Sequence, residues 1–255
     1  MKLFSLIVMF WTLLPLSVSA DDKQIRVVAS PFPPMTDPAL EQNGWFWEIC
    51  QAALESQGYS VSITFSPWAR ALKEARDGRY DAITPIYRTV EREQWFLYSQ
   101  SIESIRTGFF KLSTRPDIGF SGDLTEMKSY SIGVGRGYSV SDAFDQADFL
   151  DKHEVVSTSV SLKMLWNNRL DLIVGDEQVE RFTLDQINQQ PAFTGIKAGV
   201  VFIEPPLQTR TLHLAISKNA TDYAVKMADF NRGLQHIRDT GEYQRILERH
   251  GIAVE

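Results

Sequence analysis

Short apolar runs alternate with helical spacings along most of the chain. Ile25 to Ala29 has the length and apolar content of a buried strand, and Pro31-Phe32-Pro33-Pro34 breaks it. Phe46, Ile49, Cys50, Ala53 and Leu54 then recur at helical spacing, with Gly58 as the stop. Tyr59 to Phe65 alternates as a strand does. Trp68 to Asp77 predicts a helix ended by Gly78, and Asp81 to Thr84 predicts a third strand. After Ile102 the pattern restarts. Strands are predicted over Thr107 to Leu112, Ser131 to Val134, Leu170 to Val174, Val200 to Ile203 and Leu212 to Ile216. Helices are predicted from Ser139 to Phe149, over Ser161 to Asn168, and from Asp176 onward. Tyr223, Met227, Phe230, Leu234 and Ile237 mark a longer helix closed by Gly241, and Tyr243 to His250 a shorter one. That apolar stripe is too short for a coiled coil and reads as a helix laid on a sheet. Alternation of this kind argues for parallel βα units in an α/β fold.

The first twenty residues stand apart. Lys2 precedes an almost wholly apolar run from Leu3 to Leu16, and Val18-Ser19-Ala20 supplies small residues for cleavage. This is the pattern of a secretory signal peptide over residues 1–20, cut near Ala20. The run is too short to span a bilayer comfortably. No Cys follows the cut for lipid attachment. The expected mature protein is soluble and periplasmic.

Charge and composition narrow the function classes. The net charge is −6 over 255 residues with no dense basic cluster, which excludes a nucleic acid partner. The one cysteine, Cys50, allows no internal disulfide and is expected as a buried small hydrophobe. His153, His213, His236 and His250 are too scattered to form a metal set, and no Gly-x-Ser-x-Gly elbow occurs. No cofactor and no metal are expected.

Two charged residues at the ends of strand–loop units remain. Arg92 follows Asp81-Ala82-Ile83-Thr84-Pro85-Ile86-Tyr87, and Asp176 follows Leu172-Ile173-Val174-Gly175. A guanidinium grips a carboxylate through two parallel hydrogen bonds, and a carboxylate receives an ammonium. Brought face to face, the two would fit an amino acid backbone or another small polar solute. The residues alone leave a plainer reading open for each: a surface arginine in Glu91-Arg92-Glu93, and an N-cap for the helix after Asp176.

The order of motifs resembles the bacterial periplasmic solute-binding proteins of the polar amino acid type, solute-binding family 3. The motifs are Ile25-Arg26-Val27-Val28-Ala29 leading to Phe32-Pro33-Pro34; Gly78-Arg79-Tyr80-Asp81-Ala82-Ile83; Thr89-Val90-Glu91-Arg92 with Tyr98-Ser99; Ile132-Gly133-Val134-Gly135-Arg136-Gly137; Gly175-Asp176-Glu177; and Leu214-Ala215-Ile216-Ser217-Lys218, followed by Asn231-Arg232-Gly233-Leu234 and Gly241-Glu242-Tyr243. Each is weak alone; together they cover nearly the whole mature chain. The resemblance implies two α/β lobes of periplasmic-binding-protein-like type II, joined by two crossing strands. Lobe one is expected over residues 22–104 and 210–255, and lobe two over 105–209. It implies that Arg92 holds a ligand carboxylate and Asp176 its α-amino group. Phe32 and Trp68 would form apolar walls, with Thr84 and Tyr87 nearby. Ser139 or neighbouring amides would add a second carboxylate contact. Trp45 or Trp47 would reach the cleft mouth.

The implied function is capture of an amino acid or similar small carboxylate by a monomer for an inner-membrane ABC permease, without catalysis. Several residues depart from the family pattern. Pro85 stands where a polar residue is common, Tyr87-Arg88 is bulky, and Ala29-Ser30 offers no acid for a basic amino acid. Two alternatives stay open: a cyclohexadienyl dehydratase-like enzyme with Glu177 as its acid, and a sensory subunit.

Overall fold

The computed structural model describes residues 23–136, 138, 140–189 and 199–252. The expected signal peptide and Ser139 lie outside them. Strand β1 (Gln24–Ala29) runs parallel to β2 (Ser60–Phe65) and to β3 (Ala82–Tyr87), with helices α1 (Trp45–Glu55) and α2 (Trp68–Arg76) as the crossovers. After the short β4 (Phe96–Tyr98), β5 (Glu103–Leu112) leads away from this group. Strands β6 (Ser131–Gly135), β7 (Asp151–Val155) and β8 (Leu172–Asp176) form a second parallel set, with helices α3 (Asp142–Asp145), α4 (Thr158–Trp166) and α5 (Glu177–Asn188). The chain returns through β9 (Val200–Phe202) and β10 (Gln208–Ser217), and ends in α6 (Tyr223–Asp239) and α7 (Glu242–Arg249).

The strand order is β2-β1-β3-β10-β5-β8-β6-β7. Antiparallel β5 and β10 pair over Glu103–Thr107 and Gln208–Leu212, and then diverge. Beyond that segment β10 joins β3 and β4, while β5 joins β8 and β9. The apolar core divides in the same way. Trp45, Phe46, Ile49, Phe230 and Leu234 pack with β1 on one side. On the other, Phe109, Ile132, Phe144 and Leu172 form one cluster, and Phe110, Leu162 and Ile173 another. The result is two α/β lobes joined by two crossing strands. Each fully buried large side chain stabilises its lobe by ~1.5–3 kcal/mol.

Helices α1 and α6 touch closely because Gly233 has no side chain. A Cβ there would collide with the Ala53 carbonyl oxygen. Cys50 is fully buried on α1, and burial pushes its thiol up to about 12.

Several expectations change. Trp45 and Trp47 are buried in the first core and do not reach a cleft mouth, because the first turn of α1 is covered on every side, Trp45, Phe46 and Trp47 alike. The helix expected from Ser139 is confined to four residues, capped by Ser141, whose hydroxyl accepts from the Phe144 amide at 3.2 Å. Strand β7 was not expected, since Asp151–Val155 is mostly polar and pairs only with β6.

Candidate ligand-binding cleft

A cavity of about 450 Å³ opens between the lobes, within the usual range of ~300–1,000 Å³ for small-molecule sites. It lies at the C-terminal ends of β1, β3 and β8, where open α/β sheets place their ligands. Ser30, Pro31 and Phe32 line it after β1, Pro85 to Tyr87 along β3, and Val174 to Asp176 at the end of β8.

On the first lobe, Trp68 opens α2 and presents its ring to Arg92, whose guanidinium carbon lies 5.0 Å from the ring centroid. Arg92 begins a short 3-10 turn, Arg92–Gln94, and its amide donates to Thr89 Oγ1 at 3.2 Å. Its Nη1 donates to the Tyr87 carbonyl at 3.1 Å. Among the described residues, no carboxylate lies within ion-pair distance of this guanidinium. Its neighbours in the charged run look elsewhere, since Glu93 pairs with the exposed Arg88 at 2.5 Å. Trp68 also packs partly against the first lobe's core, so it serves both as packing and as wall.

On the second lobe, Asp176 occupies the N-cap position of α5 but makes no capping hydrogen bond. Its side chain turns into the cleft. Oδ1 receives the Thr107 hydroxyl, and Oδ2 receives the Tyr87 hydroxyl at 3.4 Å. Burial raises its pKa against the opposing pull of Thr107, Arg210 and Tyr87. Glu180 lies behind Gly175, where a Cβ would strike its carboxyl. It is buried, its Oε2 finds no partner among the described residues, and burial together with Asp176 pushes its pKa up to about 8.

The crossing strand β10 contributes Arg210 and Leu212 to the lining. The Arg210 guanidinium stacks 4.1 Å from the Tyr87 ring centroid. Among the described residues, Tyr87 therefore touches each charged side chain that lines the cavity: Arg92 through its carbonyl, Asp176 through its hydroxyl and Arg210 through its ring.

Of the residues expected at a ligand, Arg92, Asp176, Phe32, Trp68 and Tyr87 come together around this cavity. Thr84 does not. It is fully buried within β3, its hydroxyl near Cys50 Sγ at 3.6 Å and the His213 carbonyl at 3.4 Å. Ser139 lies outside the described residues. Glu177 is also absent from the lining and is paired with Arg181 at 2.7 Å and Arg106 at 3.5 Å. Arg136 pairs with Glu154 at 3.3 Å on the surface. Arg210 and Tyr138 were not singled out in the sequence. Arg210 stands two residues before buried Leu212, so strand periodicity puts both on one face.

Several solved structures share this fold. A histidine kinase sensor domain with similarity to periplasmic binding proteins is 17% identical, with a TM-score of 0.68 over 89% of this chain and 96% of that one. The GluR0 ligand-binding core from Nostoc punctiforme in complex with L-glutamate is 16% identical, with a TM-score of 0.67 over 88% and 98%. The amino acid ABC transporter substrate-binding protein AbpA from Streptococcus pneumoniae, bound to L-arginine, is 15% identical, with a TM-score of 0.63 over 89% and 93%. No curated protein sequence matches the chain. The family model of the bacterial extracellular solute-binding proteins, family 3, matches residues 25–252. With that match spanning both lobes and the cleft between them, the chain belongs to solute-binding family 3.

Proposed function

We propose that this protein captures a small organic carboxylate, an amino acid or a close relative, in the interlobe cleft and presents it to an inner-membrane ABC permease. The observation that carries this reading is the Arg92 guanidinium. It faces the cavity, is steadied by Trp68 and the Tyr87 carbonyl, and has no carboxylate of the described chain within ion-pair distance. A ligand carboxylate accepts two of its remaining N–H groups. Phe32, Trp68 and Tyr87 supply flat contact area at low entropic cost. Asp176 supports the ligand from the other side.

The lobes divide at residues 22–104 with 210–255, and at 105–209. A ligand touching both binds the closed arrangement better and shifts the population toward it. The protein works as a periplasmic monomer after its leader is removed. A sensory role uses the same cleft and differs only in the recipient of the closed form; likeness to the kinase sensor domain supports keeping it as the second reading. An enzymatic role has less support, because Glu177 is held by two arginines and Glu180 is shielded behind Gly175.

A thermal-shift screen against amino acids and small organic acids tests the reading. A true ligand raises Tm in proportion to its affinity. No shift with any carboxylate at millimolar concentration would contradict it.

A further inference from the structure

Asp176 shares its end of the cleft with a second carboxyl group. Glu180 stands one turn further along α5, so the two fall on the same side of the helix. Gly175 is part of the cavity lining and has no side chain, and the Glu180 carboxyl occupies the space a Cβ would take there. Glu180 is 5% exposed, and its Oε2 finds no partner among the described residues. A carboxylate buried in that way is costly unless a cation stands close.

The groups around it decide which form it takes. Asp176, at the end of β8, is a negative neighbour that acts on it. From α4 the Thr158 hydroxyl favours the ionised form but is outweighed by burial. Tyr138, after β6, is a neutral phenol. On β5, Arg106 is engaged with Glu177 and Glu204, and Thr107 with Asp176. On α5 itself, Arg181 pairs with Glu177. With its pKa pushed up to about 8, Glu180 keeps its proton at neutral pH.

Each Asp176 oxygen accepts one hydroxyl and retains a lone pair for an ammonium. A cation seated there offsets the charge of Asp176 and brings a positive group toward Glu180, which favours the ionised carboxyl. The ligand's own carboxylate is then at Arg92 on the other lobe, so the ammonium is the nearer charge.

We infer that Glu180 is a positioning residue for a ligand ammonium: without touching it, Glu180 releases its proton to the solvent when the ammonium seats on Asp176, and the carboxylate so formed strengthens the hold on that cation. This rests on the reading of the cleft as an amino acid site and adds to it a group that favours the ammonium.

The test is calorimetric titration of the whole protein in buffers of differing ionisation enthalpy. The probes are the common L-amino acids other than histidine and cysteine, with 3-phenylpropionate and hexanoate as carboxylates that lack the ammonium. For the tightest amino acid, about half a proton or more should leave per ligand bound at pH 7, and Kd should tighten about fivefold between pH 6 and pH 8. In Glu180→Gln, which keeps the shape and cannot ionise, both effects vanish. Amino acid binding without proton release, or release that persists in Glu180→Gln, overturns the inference while leaving carboxylate capture intact. Tighter binding of 3-phenylpropionate or hexanoate than of every amino acid overturns it in the same way. Failure of every probe to bind removes the carboxylate reading itself, and the inference with it.

Discussion

The Tyr87 hydroxyl, on β3 of the first lobe, lies 3.4 Å from Asp176 Oδ2 at the end of β8 in the second. One hydrogen bond thus spans the cleft from the strand whose last carbonyl holds Arg92 to the carboxylate opposite. Its length puts it toward the weak end of the ~0.5–1.5 kcal/mol expected of such a bond. A contribution of that size biases a hinge without locking it.

Tyr87→Phe removes this bond and little else. The ligand-free protein is expected to open, with a measurable rise in radius of gyration by small-angle scattering. An unchanged scattering profile would mean that the bond does not bias the lobes.

Glu180 makes stability pH-dependent. Its pKa in the fold, about 8, stands above the ordinary 4.5, so the folded state holds the proton more tightly than the unfolded chain. Native stability therefore falls as pH rises from about 4.5 toward 8 and levels off above that. The span corresponds to a cost of roughly 3–5 kcal/mol at most. Glu180→Gln removes the charge, so its Tm relative to the parent should climb between pH 5 and pH 9. Parallel Tm curves would show that Glu180 ionises without penalty.

Gly233→Ala tests the first core. Its Cβ meets the backbone of Ala53, which cannot rotate away as a side chain would, so α6 must move off α1. Overpacking of this kind costs ~1–3 kcal/mol, read as a lower urea midpoint. An unchanged midpoint would mean that the helices separate freely.

Much of this was legible in the sequence, and the exceptions share a cause. Apolar periodicity marks α1, α6 and β1 because those elements bury a face. It marks β5 and β10 only in part. Glu103–Arg106 and Gln208–Thr211 form the passage between lobes, where Ile105 alone is buried in a core, so polar residues are tolerated at the other positions and the strand signal fades. Arg210 was hidden for that reason. Asp176 posed a different problem, since a cap and a cleft ligand look alike in sequence. Only the direction of its side chain, away from the α5 amides, separates them. Thr84 sits one residue from lining Pro85, yet its hydroxyl is spent inside the core.

The central claim is that Arg92 holds the ligand's carboxylate. Calorimetry with the tightest carboxylate from a thermal-shift screen, on the parent, Arg92→Ala and Arg136→Ala, tests it most directly. Loss of a paired, charge-assisted contact worth ~3 kcal/mol predicts about a 100-fold weaker Kd for Arg92→Ala. Arg136 pairs with Glu154 on the surface, so its removal should change Kd less than about threefold. Equal losses in the two variants, or an Arg92→Ala protein that binds as the parent does, would contradict the account.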